Sequence, residues 1–88
     1  MSVVTANDIR AAATTLQGQV IRTPILAAPL LSRQFGCDLF VKLECQQYTS
    51  SFKARGAYIA IQSLGGAQRK SGVIAMSAGN HAQAVAYH

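Results

Sequence analysis

The stretch that most constrains this chain is "GVIAMSAGN", residues 72–80. Val73, Ile74, Ala75 and Met76 are consecutive apolar residues, bounded by Gly72 on one side and by Ser77–Ala78–Gly79 on the other. A short apolar run without alternation, closed by turn signals, predicts a strand buried on both faces. Such a strand needs helices above and below it, which points to an α/β architecture. "AGN" then predicts a tight turn into a helix opening at Asn80.

The rest of the chain supplies the other layers. "TANDIRAAATTLQ" begins with a capping-box pattern, Thr5 with Asp8 three residues on. Ile9, Ala12, Ala13 and Leu16 then share a helical face, and Gly18 closes the segment. Pro24 and Pro29 mark "IRTPILAAP" as an extended connector into a short helix, "LLSRQF", stopped by Gly36. In "CDLFVKLE", Leu39, Val41 and Leu43 alternate with Phe40, Lys42 and Glu44, the pattern of a strand with one buried face. "ECQQYTSS" reads as a polar loop. A helix follows from about Phe52, with Ala54, Ala57, Tyr58, Ile61 and Leu64 as its apolar stripe, and ends at Gly65–Gly66. The order helix, strand, helix, strand, helix predicts a partly parallel sheet flanked by helices.

The 88 residues are 50% hydrophobic and only 12% charged, against about 25% charged in an ordinary soluble domain. So little polar surface suits a part of a larger fold. The last helix meets no stop signal before His88, and the expectation is the front part of a longer protein. Eight basic residues face three acidic ones, Asp8, Asp38 and Glu44, a formal charge of +5. The basic residues are scattered, only Arg69 and Lys70 being adjacent, which argues against nucleic-acid binding. Cys37 and Cys45 form no C-x-x-C pair and read as buried small hydrophobes. The N-terminus has no basic start followed by an apolar core. The expected setting is cytoplasmic, with no membrane partner.

Two junctions carry chemistry. In "TSSFKARGA" the serines are placed to cap a helix whose first turn holds Lys53. An ammonium meets the positive end of the helix dipole there, and the neutral amine is the form that attacks a carbonyl. The plain alternative is a solvated surface charge. In "SAGNHAQ", Ser77 ends the apolar run, Gly79 allows a close turn, and Asn80 and His81 open a helix. Backbone N–H groups at such a turn bind anions such as a carboxylate. His81 reads equally well as a structural histidine. Metal binding finds no ligand set, since His81 and His88 have no acidic or cysteine partner at ligand spacing.

"SFKARGA", followed 24 residues after its lysine by "SAGNHAQ", resembles the N-terminal part of the serine/threonine dehydratases. These are fold type II, tryptophan-synthase-β-like, pyridoxal-phosphate enzymes. "RTPIL" and "LFVKLE" fit the same family's lead-in, so the likeness covers nearly the whole chain. It implies that residues 1–88 are an incomplete N-terminal portion of the catalytic region. It also implies that Lys53 holds pyridoxal 5'-phosphate as the internal aldimine. Phe52 would pack on the cofactor ring and Asn80 would hydrogen-bond its 3-oxygen. Ser77, Gly79, Asn80 and His81 would surround the substrate carboxylate, and Arg55 would be structural. The reaction implied is β-elimination from L-threonine or L-serine to a 2-oxo acid and ammonia, in a homo-oligomeric parent. The phosphate-binding loop and the partner of the pyridine nitrogen are expected downstream.

Details inside the motifs favour a dehydratase. Ala54 stands where threonine and cysteine synthases usually carry aspartate. Ala78 stands where racemases place a second serine as the opposite-face base. Ser50 replaces a common glycine, which would matter if its φ were positive, and Ala84 replaces another. Two alternatives accompany this reading: a related enzyme such as serine racemase, or a non-catalytic remnant docked on a full-length subunit.

Overall fold

The computed structural model describes residues 2–88. Helix α1 (Ala6–Leu16) opens with the expected capping box. Thr5 Oγ1 accepts the Asp8 N–H at 3.2 Å, and the Asp8 carboxylate accepts the Thr5 N–H at 2.8 Å. That backbone donor, helped by the Thr5 hydroxyl, holds the Asp8 carboxyl below its ordinary range. Of the expected apolar face, Leu16 is buried and Ile9 is exposed.

Strand β1 (Ile25–Ala27) pairs antiparallel with β2 (Phe40–Lys42), Ile25 opposite Lys42 and Ala27 opposite Phe40. The sequence marked β1 only as a connector, because Pro24 and Pro29 bracket it. Pro24 lies just outside the strand, where its missing N–H costs no ladder bond, and its carbonyl accepts the Leu43 N–H at 3.0 Å. Helix α2 (Pro29–Phe35) makes the connection, with Pro29 in its first turn and Gly36 ending it at φ 66°. The alternation around β2 holds: Leu39, Val41 and Leu43 are half-buried, Phe40 and Lys42 exposed.

Helix α3 (Lys53–Gln62) carries the expected stripe. Ala54 and Ala57 are buried, and Tyr58, Ile61 and Leu64 half-buried. Helix α4 (Gly66–Ser71) was not expected, because Gly65–Gly66 signalled only a stop. The pair also starts a helix: Gln68 Oε1 accepts the Gly65 N–H at 2.9 Å. Helix α5 (Asn80–Tyr87) packs on α3 through Ala84, which is fully buried. Its end is fastened by rings, Tyr87 stacked on Tyr48 at 5.4 Å and His88 edge-on to Tyr58 at 5.1 Å.

Three sequence expectations are corrected. Residues 72–77 form no regular secondary structure and have no strand partner, and Ile74 and Met76 are 99% and 100% exposed. A strand exists only with a neighbour, and the sheet among the described residues is the β1–β2 pair. For the same reason the described sheet is antiparallel, without the parallel pairing expected. Cys37 and Cys45 are exposed, one just past the turn at Gly36 and the other in a 3-10 turn (Glu44–Gln46) whose inward contacts are made by Glu44. Among the described residues the buried apolar core is Ala54, Ala57 and Ala84, with Leu16 at its margin. The radius of gyration is 16.0 Å, against about 12 Å for a compact domain of this length. No helix among the described residues is long and apolar enough to cross a membrane.

Candidate active site

The junction before Lys53 is built around one carboxylate. Arg55 donates to Glu44 through two nitrogens, Nε to Oε2 at 3.0 Å and Nη2 to Oε1 at 2.9 Å. The Thr23 hydroxyl also donates to Oε1, and Gln47 Nε2 reaches Oε2 at 3.4 Å. A bidentate guanidinium is the strongest side-chain partner a carboxylate can have. It is the main reason the Glu44 carboxyl is held down at about 2, against the opposing effect of burial. The same pairing pushes the Arg55 guanidinium up.

Gln47 is buried, and its carboxamide satisfies both backbone groups of Ile21. Nε2 donates to the carbonyl at 2.8 Å, and Oε1 accepts the N–H at 2.8 Å. Arg55 Nη2 reaches the same carbonyl at 3.2 Å, and Lys42 Nζ donates to the Thr23 carbonyl at 3.0 Å. Residues 21–23, the turn at 44–47 and the first turn of α3 are thereby joined in one polar network.

Between Gln47 and Arg55 the backbone is strained. Thr49 and Ser50 lie at φ 63° and 62°, where a side chain costs about 1–2 kcal/mol per residue and a β-branched one fits worst. A glycine at position 50 would avoid that cost. Thr49 Oγ1 is also buried without a partner.

Lys53 is the first residue of α3 and is exposed. The expected serine cap is present only weakly, Ser51 Oγ accepting the Lys53 N–H at 3.4 Å, while Phe52 occupies the N-cap position without a side-chain bond. Among the described residues Lys53 Nζ makes no hydrogen bond or ion pair, and it lies 5.2 Å from the centre of the exposed Phe52 ring. An uncommitted primary amine beside an open aromatic face fits a flat aromatic aldehyde, in both reactivity and shape.

At the second junction the backbone leaves the irregular run 72–77, turns at Ser77–Gly79 and enters α5. Ser77 Oγ accepts the Gly79 N–H at 3.2 Å. The first intrahelical bond of α5 runs from the Gln83 N–H to the Gly79 carbonyl at 3.2 Å. The N–H groups of Asn80, His81 and Ala82 precede it, as at every helix start. Ser77, Gly79, Asn80 and His81 are all exposed. The helices that begin at Lys53 and Asn80 pack against each other, but no hydrogen bond links Lys53 to the second junction among the described residues.

A cavity of about 480 Å³ lies elsewhere, between the end of α1 and Arg22, Lys42 and Arg55. Of the residues at the two junctions it touches only Arg55, and it includes none of Phe52, Lys53, Ser77, Gly79, Asn80 and His81. Two of its cations are already engaged, and it meets α1 at the negative end of the helix dipole. It therefore lacks the electrophile-seeking amine that marks the Lys53 junction.

The sequence marked Arg55 as structural and overlooked Glu44, Gln47 and Thr23. One signal was available: of three acidic residues, one caps α1, so a lone carboxylate at the end of β2 in a basic chain calls for a cationic partner.

The model of the family described as "Pyridoxal-phosphate dependent enzyme" matches residues 16–88. An L-threonine ammonia-lyase of Thermotoga maritima is 47% identical over 83 residues, which are 94% of this chain and 21% of that protein. An L-threo-3-hydroxyaspartate ammonia-lyase of Pseudomonas sp. is 43% identical over 86 residues, 98% of this chain and 27% of that one. Among solved structures, maize serine racemase superposes with a TM-score of 0.82 at 38% identity, covering 97% of this chain and 27% of the racemase. The chain thus spans about a fifth to about a quarter of the length of these relatives.

Proposed function

The chain belongs to the family of pyridoxal-phosphate-dependent enzymes, and on that premise we propose that residues 1–88 are the N-terminal portion of the catalytic region of an ammonia-lyase. Its substrate is a β-hydroxy-α-amino acid, L-threonine or L-serine. The observation that carries this reading is the exposed, uncommitted Lys53 amine at the first position of α3. The names of the Thermotoga and Pseudomonas relatives support the reaction class.

When bound, pyridoxal phosphate supplies the electron sink that acidifies the substrate's α-proton. The chain supplies the groups around it. Lys53 Nζ would be the attachment point and, when its amine is free, the base that takes the α-proton. Phe52 would offer its ring face to the cofactor, and the Asn80 amide would donate to the ring's 3-oxygen. Ser77, Gly79, Asn80 and His81 hold the substrate carboxylate, with the N–H groups that open α5 as donors. The β-hydroxyl departs as water, and a water molecule is taken up when the unsaturated product hydrolyses. The net change is amino acid to 2-oxo acid plus ammonia.

A racemase would need a second acid–base group on the opposite face, and the position between Ser77 and Gly79 is Ala78, which has no exchangeable proton. A homo-oligomeric enzyme in a reducing cytoplasm suits the exposed apolar surface and the two free thiols.

The test is borohydride reduction of the full-length protein with pyridoxal phosphate, followed by peptide mapping and an assay of ammonia. Cofactor fixed on Lys53, with ammonia released from L-threonine or L-serine, is the expected result. Lys53→Ala should lose both. Fixation elsewhere, or conversion of L-serine to D-serine without ammonia, overturns the reading. Preference for L-threo-3-hydroxyaspartate would keep the reaction and change the substrate.

A further inference from the structure

The loop that delivers Lys53 is tied at both ends to the same anchor. At one end Gln47 grips both backbone groups of Ile21 and touches Glu44. At the other, eight residues later, Arg55 grips Glu44 with two nitrogens and the Ile21 carbonyl with one of them. Between the two ties lie the left-handed Thr49 and Ser50, and then Lys53. Left-handed non-glycine residues persist only where their surroundings over-determine them. Here the over-determination has a visible source, because relaxing either residue would shift one tie against the other. Tyr48, stacked on Tyr87, closes the remaining side.

We infer that Glu44, Gln47 and Arg55 are positioning residues for Lys53: their clamp holds the Thr49–Ser50 turn in its strained form and so sets the direction in which the lysine amine leaves the first turn of α3. The inference deepens the ammonia-lyase reading and rests on Lys53 being the cofactor's attachment point. It differs from a purely stabilising role in one respect. If the clamp works by opposing the turn's tendency to relax, a residue at ease in the left-handed region should make the clamp partly dispensable. Ser50→Gly is that change.

The experiment measures the rate at which Lys53 of the full-length, cofactor-stripped protein captures pyridoxal phosphate, by timed borohydride quench and mass spectrometry. Urea denaturation of each variant is run in parallel. Arg55→Lys keeps the charge but loses the two-pronged fit, and Glu44→Gln keeps the shape but loses the charge. Each should slow capture by at least about tenfold while the protein remains folded. Adding Ser50→Gly to Glu44→Gln should recover a substantial part of the lost rate. Variants that stay folded and capture at the wild-type rate overturn the inference, as does a double variant no faster than Glu44→Gln alone. Should Glu44→Gln fail to fold, the comparison of Arg55→Lys with and without Ser50→Gly decides it in the same way. Failure of the wild-type protein to trap cofactor on Lys53 is a separate outcome, and it overturns the underlying reading as well.

Discussion

At the scale of single residues, Glu44 organises more of this molecule than any other side chain. It accepts from Arg55, Thr23 and Gln47, and its side chain is 15% exposed. Its carboxyl is held down at about 2 from an ordinary 4.5. A group depressed in the folded state stabilises fully above its unfolded pKa and loses that contribution as pH falls toward the folded one. The contribution of this group to stability in urea should therefore be level above pH 4.5 and decline between there and pH 2, by on the order of 1–3 kcal/mol. In Glu44→Gln the decline over the same window should be smaller, and an equal decline would assign it to other carboxylates. Lys53 is the opposite case at this scale, a side chain that stability does not use.

Among the elements, the contact of α3 with α5 decides how the two junctions sit. It is made by small side chains, with Ala54 and Ala84 both fully buried. Alanines let two helices approach closely and leave no room for growth. Ala84→Leu should cost about 1–3 kcal/mol through overpacking, read as a lowered urea midpoint. Ala84→Gly should lose only about 1 kcal/mol, through helix propensity. A tolerated leucine would mean that the helices do not meet as described. The stripe on α3 was readable from spacing alone, because helical period and apolar type agree at Ala54, Ala57, Tyr58, Ile61 and Leu64. Helix α4 was not, because Gly65–Gly66 ends one helix and begins another, and only the backbone distinguishes the two uses.

The whole molecule is extended, 52 × 31 × 28 Å, and much of its large apolar inventory faces outward. Val73, Ile74, Met76, Phe52 and Phe40 are each more than half exposed. Large apolar side chains exposed in this number mark a place for further protein. The 88-residue polypeptide made alone should bind the apolar dye ANS, and Ile74→Lys with Met76→Lys should reduce the signal. Dye binding unchanged by that pair would place the exposed surface elsewhere.

The sequence by itself determined what depends on local chemistry and near neighbours. That covers the capping box at Thr5, the stop at Gly36, the α3 stripe, and the two motifs whose order and spacing identify the family. It also marked Ser50 as costly should its φ be positive, since that cost follows from the Cβ atom alone, and the structure supplied the φ of 62°. The tertiary structure decided what depends on residues far apart in the chain. Gln47 is buried because Ile21, 26 residues away, presents two unpaired backbone groups to it. Arg55 is structural because Glu44 lies opposite, and "GVIAMS" forms no strand because a strand is defined by its neighbour. A periodic pattern records which face of an element is apolar, but it does not record which partner covers that face, and that partner sets burial, pairing and charge.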